Sequence, residues 1–306
     1  MKKKILVVSS ANMDMVLNIE SIPSEGQTVI EKGNYSYVPG GKGANSAVAF
    51  KRIGADCSFL TKLGNDSNAD ALLSLYKKEG IDTSFIERDN SVATGLATIF
   101  VEKNGQNRII VFPGSNQKIT KAQIDKAIEA CPDALYMQFE INHDAILYSA
   151  KKAYEKNIPI FIDAGPADLS FPFDKMPPVE IFSPNETETF AFTGIMPSDT
   201  INCKKACCKL LEMINAKYIV LKLGAKGAYV FNGKTGIIKT SMKIKAVDTT
   251  AAGDAFTAAL TVKHLELNDI YKACEYANAV GALTVSRHGA SSSIPTEKEI
   301  QAFLSK

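Results

Sequence analysis

Short apolar runs rich in β-branched residues recur along this chain, and between them the apolar positions relax to helical spacing. KILVVSS (4–10), CSFLTKLG (57–64), ALYMQFE (134–140), IPIFIDAG (158–165), VEIFSPN (179–185) and YIVLKLG (218–224) are nearly continuous in apolar character. Strands covered on both faces look like this. The stretches 43–53, 66–80, 120–129, 142–156 and 199–214 are amphipathic and predict helices. Such alternation predicts an α/β fold, with a doubly wound, mainly parallel sheet and helices on both faces. Ligands of these sheets gather at the carboxyl ends of the strands, which directs attention to Asn12, Asp14, Glu140, Asp163, Asn185 and Gly224.

Two regions break the alternation. Residues 15–38 and 95–112 carry short strands and turns such as KNGQN (103–107), with little helix. They read as antiparallel hairpins beside the main sheet, alike enough to pair as one small β-sheet acting as a lid. No internal repeat, low-complexity tract or linker divides the chain. Residues 1–306 are therefore expected to form a single domain, with 15–38 and 95–112 as its lid segments.

Composition excludes more than it selects. The chain is 45% hydrophobic and 22% charged, ordinary for a soluble globular protein. Net charge is +2, with Lys and Arg scattered, so no basic stripe argues for nucleic acid. The opening MKKKILVVSSANMDM has an apolar run only from Ile5 to Val8 and no cleavage pattern, so it reads as a first strand rather than a secretory signal. No apolar stretch approaches the roughly 18–20 residues that cross a bilayer. A cytoplasmic protein without a membrane partner is expected. The cysteines at 57, 131, 203, 207, 208 and 274 lack zinc-type spacing and read as free thiols. The histidines at 143, 264 and 288 are far apart and are expected to be structural or at the surface.

Four stretches carry candidate chemistry. PGGKGANSAVAF (39–50) sets Gly40, Gly41 and Gly43 before a helix, freeing the backbone to approach a ligand. The helix N-terminus, Lys42 and Asn45 add donors. This run fits neither the P-loop, since Lys42 precedes Gly43, nor the dinucleotide fingerprint, since Ser46 stands at the third glycine position. In SSANMD (9–14), Asn12 and Asp14 share one face of an extended strand. An amide beside a carboxylate suits neighbouring sugar hydroxyls, although a plain polar loop has the same composition. In SPNETE (183–188), Asn185 and Glu188 share a helical face, either holding a hydrated Mg²⁺ through water or forming an N-cap.

DTTAAGD (248–254) is the fourth stretch. If AAGD opens a helix, successive N–H groups converge on a spot suited to developing negative charge. Asp254 then lies in the same turn and can take a proton from an attacking hydroxyl. Asp248 has a different task, holding a cation that supports the loop. A capped turn leading into AFTAALTVKHL (255–265) accounts for the same residues without any chemistry.

GGKGAN (40–45), NMD (12–14), PNETE (184–188), LKLGAKG (221–227), DTTAAGD (248–254) and NAVGALTVSRHGASSSIP (278–295) together resemble the ribokinase branch of the PfkB-type carbohydrate kinase family, over essentially the whole chain. The resemblance implies a ribokinase-like fold and an ATP-dependent kinase acting on a pentose, foremost D-ribose to ribose 5-phosphate. It makes Asp254 the catalytic base, with Ala251, Ala252 and Gly253 as the anion hole. It assigns Asn12, Asp14, Gly40, Gly41, Lys42 and Asn45 to the sugar, supported by Glu140. Asn185 and Glu188 would position Mg²⁺ through water, and Lys222, Gly224, Gly227 and Asn278 would lie near the nucleotide. Asp248, Thr250, Thr284, Arg287, Gly289 and Ser293 would surround K⁺, largely through backbone oxygens and the Ser293 hydroxyl. Homodimers paired through the lid are usual in that branch.

This sequence departs from the pattern at two places. Ala251 replaces a common glycine, and Lys222 stands where Thr or a similar residue often precedes Leu-Gly, either touching the nucleotide or simply solvated. Alternatives within the family are a nucleoside kinase, a fructokinase or a deoxyribokinase. From a different class, a non-catalytic sugar-binding regulator would need no base at position 254.

Overall fold

The strands expected from continuous apolar runs stand side by side because each has two cores to fill. The structure, a computed structural model, describes residues 2–104 and 106–305. Gly105, inside the expected KNGQN turn, lies outside the described residues, as do residues 1 and 306. The chain begins with β1 (Lys4–Val8), β2 (Asn12–Ile19), β3 (Tyr35–Gly40), α1 (Lys42–Arg52), β4 (Asp56–Leu60) and β5 (Lys62–Gly64). Next come α2 (Ser67–Lys78), β6 (Glu87–Asp89), β7 (Gly95–Glu102), β8 (Asn107–Phe112), α3 (Lys121–Glu129), β9 (Ala134–Met137) and α4 (His143–Glu155). They are followed by β10 (Ile160–Asp163), β11 (Val179–Ser183), α5 (Glu186–Thr193), α6 (Thr200–Met213) and β12 (Ala216–Lys222). The chain continues through β13 (Ala228–Phe231), β14 (Gly236–Lys239), α7 (Ala252–Leu267), α8 (Ile270–Val285) and α9 (Glu297–Leu304).

The main sheet has eight strands in the order β14-β13-β12-β11-β10-β9-β1-β4. From β4 to β12 all neighbours are parallel, and only β13 and β14 run antiparallel. Alternate strand residues serve opposite layers. Ile5, Val7, Tyr136 and Phe161 pack with α1, α7 and α8, whereas Leu6, Val8, Leu135, Met137 and Ile162 pack with α3, α4 and α6. Both faces are thus apolar, which explains the unbroken runs. Val8 pairs with Met137, Met137 with Ile162, and Asp163 with Ser183. The residues that follow β1, β9, β10, β11 and β12 therefore emerge along one edge.

The two hairpin regions form a separate four-stranded sheet, β3-β2-β7-β8. They join through their first strands, with β2 parallel to β7 and Asn12 opposite Gly95. Tyr35, Tyr37, Ile109, Ile110, Val111 and Phe112 of this sheet are exposed. One expected strand divides: 57–64 breaks at Thr61, and β5 leaves the main sheet to pair with β6. The Thr61 carbonyl accepts instead from the Gln123 side chain at 2.8 Å. No helix among the described residues is long and apolar enough to cross a membrane. All six cysteines are free, and Cys57, Cys203, Cys207 and Cys274 are buried.

Candidate active site

Asp254 lies in the first turn of α7 and is 6% exposed. Ala251, at φ 60°, swings the chain into this helix through the left-handed region, and no side chain caps the helix start. The Ala252 N–H reaches Thr249 O at 3.3 Å, while those of Gly253 and Asp254 find no acceptor among the described residues. Unpartnered amides at a helix start favour an anion.

Two amides fix the Asp254 carboxylate. Asn45 Nδ2, from the first turns of α1, donates to Oδ2 at 3.0 Å, and Gln138 Nε2 donates to Oδ1 at 3.2 Å. Burial pushes this carboxyl up to about 6, with Lys42 pulling it down and Asp163 pushing it further up. It is ionised at neutral pH yet far more basic than an ordinary aspartate, as a general base should be. The negative Asp254 in turn holds the Lys42 ammonium above its usual range, against the effect of burial.

Polar groups of a kind that suits hydroxyls stand nearby. Asn116 Nδ2 donates to Asn12 Oδ1 at 2.7 Å, so the Asn12 NH₂ is the end left for a ligand. Asn116 is itself fixed by the N–H and carbonyl of Ala11, at 2.9 and 3.2 Å. Two positions along β2, Asp14 is pushed up to about 7 by burial, with the Glu140 charge adding to it. A Cβ at Gly40 would strike the Asp14 carboxylate and force that side chain to shift. Gly41 adopts φ 89°, and a Cβ there would lie 2.7 Å from the Asn12 nitrogen. Glu140 accepts from the Ser10 hydroxyl and, at 3.2 Å, from the Lys42 N–H, tying the glycine turn to the end of β1. Asn45 Oδ1 is buried without a partner. Such an orphaned acceptor calls for a donor from a ligand.

Asn185 and Glu188 form a capping box on α5, each accepting from the other's N–H at 2.8 Å. The N-cap reading of this pair therefore holds. Glu188 keeps a second oxygen facing Gly165 and the Lys42 stem, and burial raises its carboxyl against the opposing pull of Lys222. Among the described residues no cluster of three or more His, Cys, Asp or Glu is arranged to grip a metal directly.

Lys222 is not solvated. Its side chain is 11% exposed and its Nζ lies 2.7 Å from Asp163 Oδ1. Gly224 and Gly227, at φ 53° and 98°, shape the turn between β12 and β13. The Asn278 amide donates to Lys239 O at 2.8 Å, linking α8 to the end of β14.

Asp248 clamps its own loop. Oδ1 accepts from the Thr250 N–H at 2.9 Å and its hydroxyl at 2.7 Å, and Oδ2 accepts from the Gly289 N–H at 3.0 Å. The hydroxyls of Thr284 and Ser293 donate to Val280 O and Ala290 O, both at 2.8 Å, leaving their oxygens as acceptors. The Arg287 guanidinium pairs with Glu299 at 2.7 Å.

The profile of the pfkB family carbohydrate kinases matches residues 2–297. The chain belongs to the pfkB family of carbohydrate kinases. A ribokinase of Haemophilus influenzae is 33% identical over 307 residues, covering 99% of both chains. A bifunctional ribokinase/ribose-5-phosphate isomerase A of Fructilactobacillus sanfranciscensis is 34% identical over 97% of this chain, which spans 55% of that longer protein. The structure of Arabidopsis thaliana ribokinase complexed with ribose and ATP superposes with a TM-score of 0.91, at 29% identity and 100% coverage of both chains.

Within this pfkB-family chain, Asn12, Asp14, Gly40, Gly41, Lys42, Asn45, Glu140 and Asp254 form one connected group through these contacts. Lys222 lies against Gly253 at its edge, and a Cβ on Gly253 would be 3.7 Å from Lys222 Nζ. Asp248, Thr250 and Gly289 form a separate cluster behind the α7 turn, through the hydrogen bonds given above. Three residues in these networks escaped the sequence reading of roles. Gln138 shares the face of Glu140, two positions earlier, and that alternation could have singled it out. Asp163 ends β10, where strand-end logic placed suspicion without a task. Asn116 sits in a short loop helix after β8 with no motif to mark it.

Proposed function

We propose that this chain is an ATP-dependent ribokinase that phosphorylates the primary hydroxyl of D-ribose. One observation carries the reading: a buried carboxylate, oriented by two amides and raised to about 6, shares a turn with unpartnered helix N–H groups. Asp254 accepts the hydroxyl proton, and the helix-start amides left open at Gly253 and Asp254 receive the charge of the phosphoryl group, with Ala251 and Ala252 shaping the turn. Phosphoryl transfer asks a protein chiefly for such positioning and charge stabilisation. Asn12 and Asp14 hold the sugar hydroxyls, joined by Asn45 and the turn at Gly40, Gly41 and Lys42, with Glu140 bracing that turn. A non-catalytic sugar-binding role would leave the raised Asp254 without a task.

The nucleotide is placed against Lys222, Gly224, Gly227 and Asn278. Mg²⁺ suits the free oxygen of Glu188 and the Asn185 amide through water, since no direct metal cluster stands among the described residues; bound there it would offset phosphate charge. K⁺ suits the loop of Asp248, Thr250, Thr284, Arg287, Gly289 and Ser293, whose outward oxygens are mostly carbonyls and hydroxyls; bound there it would stiffen the support of the anion hole. The small sheet serves as a lid on a single domain, and its exposed Tyr35, Tyr37, Ile109 and Phe112 fit a second copy of the chain. The chain is read as a cytoplasmic homodimer on these grounds, and sedimentation tests the dimer.

The substrate is tested by competition kinetics with ribose, deoxyribose, fructose and adenosine. Ribose is expected to show the highest kcat/KM. Deoxyribose lacks the 2-hydroxyl that Asp14 accepts from, and a site left unpaired discriminates strongly. A higher kcat/KM for adenosine or fructose would reject ribose as the substrate while keeping the kinase.

A further inference from the structure

The ion pair between Lys222 and Asp163 is buried at the ligand-bearing edge of the sheet, where a pair of charges is costly to keep. The Asp163 side chain is 3% exposed. Its Oδ2 accepts from the Thr257 hydroxyl on α7 at 2.8 Å while Oδ1 takes the Lys222 ammonium at 2.7 Å. Buried ion pairs are seldom retained for stability, because well-packed neutral residues hold a fold as well or better. A position beside Gly253, in the turn that bears Asp254, points to use of the charge itself.

Geometry says what the charge faces. Lys222 Nζ approaches Thr257 Oγ1 at a long 3.4 Å. It therefore makes one strong bond, to Asp163, and its third N–H has no acceptor among the described residues. The lysine stem lies against Gly253, and a carbon added there would be 3.7 Å from Nζ. On its other side, the Lys222 backbone bridges to Asn185, at the start of the turn that bears Glu188. Lys222 thus joins the turn carrying Asp254, through its side chain, to the turn of Asn185 and Glu188, through its backbone.

We propose that Lys222 is a catalytic residue of phosphoryl transfer, held by Asp163 so that its free N–H meets the transferring phosphoryl group. The proposal rests on the kinase reading above. The bond formed joins the sugar hydroxyl oxygen to the γ-phosphorus, and the bond broken is that to the β–γ bridging oxygen. The hydroxyl proton passes to Asp254, and the bridging oxygen leaves with its electron pair on ADP. Lys222 keeps its proton throughout and acts only through charge and one hydrogen bond. Groups of this kind stabilise charge that develops in the transition state, so their loss falls on kcat rather than on substrate affinity.

The test compares Lys222→Gln/Asp163→Asn, which is neutral and keeps a partner for Thr257, with Asp163→Asn alone and the parent. ATP-dependent turnover of ribose, both KM values and thermal unfolding are measured. The double variant is expected to lose about 10²-fold or more in kcat, with the KM for ribose within about threefold of the parent. Asp163→Asn retains the ammonium and is expected to lose less than about tenfold. A double variant that keeps kcat within about threefold of the parent would overturn the proposal, showing that Lys222 merely neutralises Asp163. A parent that consumes no ATP with ribose, deoxyribose, fructose or adenosine would defeat the kinase reading itself, a result distinct from an active parent with an equally active double variant.

Discussion

Asp248 and Asp254 belong to one short run, DTTAAGD, yet the fold drives them to opposite chemistries. Burial acts upward on both carboxyls. At Asp248 the N–H groups of Gly289 and Thr250 and the Thr250 hydroxyl outweigh it, holding the group below the usual carboxylate range. At Asp254 burial prevails and the carboxyl rises to about 6, since Lys42 and the Asn45 amide only partly offset it. At Asp248 the donors of a surface loop outweigh burial and make a clamp. At Asp254 burial outweighs the donors and leaves a carboxylate basic enough to take a proton. Residue type and spacing do not separate the two; the balance between burial and donors does.

The sharpest way to break this contrast is Asp254→Asn. An amide cannot accept the hydroxyl proton, so kcat should fall by about 10²–10⁴-fold while ribose still binds. Turnover within a factor of a few of the parent, measured by a coupled ADP assay, would remove Asp254 from its role. The pH profile comes next. Asp254 must be ionised to act and its folded value is raised, so activity is complete well above about 6 and is lost as pH falls through it. Because Asp14 titrates near 7 in the free site, kcat at saturating ribose isolates Asp254. An inflection near the ordinary value of about 4 would mean that burial does not govern the base.

A smaller effect is expected at the clamp. Asp248→Asn should raise the K⁺ concentration needed for half-activation by roughly tenfold, leaving kcat at saturating K⁺ within a few-fold of the parent. Titration of K⁺ against tetramethylammonium at constant ionic strength reads this. An unchanged curve would reduce Asp248 to a purely structural tie. The smallest effect is at Ala251. A left-handed alanine carries about 1–2 kcal/mol of strain, but glycine gives up a buried methyl worth about 0.8 kcal/mol and gains unfolded-state entropy. Ala251→Gly should therefore shift unfolding free energy by less than about 1 kcal/mol. A larger loss by denaturant titration would show that the methyl packs better than its backbone angle implies.

Much of the fold was legible because a strand buried on both faces has no choice but to be apolar throughout. Ile5 to Val8 and Ile160 to Ile162 announce themselves in that way. The hairpin of β13 and β14 went unread, since AYVF and GIIK are too short for periodicity to speak. The pairing of β2 with β7 was foreseen only as a likeness in character; its parallel register depends on contacts between distant segments. At the site, Asp254 and Asn12 were marked by glycine turns and strand ends. For Lys222 the sequence left nucleotide contact and solvation both open, because its partner, Asp163, comes from another strand fifty-nine positions earlier. Gln138 and Asn116 act by orienting other side chains, and a role exercised through a neighbour leaves no local motif.

The hydrogen bond from Asn45 to Asp254 spans 209 positions. During synthesis, the glycine turn and the hydroxyl-reading strand exist long before the residue that will extract a proton has been made. Closing so wide a loop is slow compared with forming local contacts, so the site is among the last parts of the molecule to be assembled. Until that contact closes, the residues of the glycine turn stand without the carboxylate that they border in the folded chain.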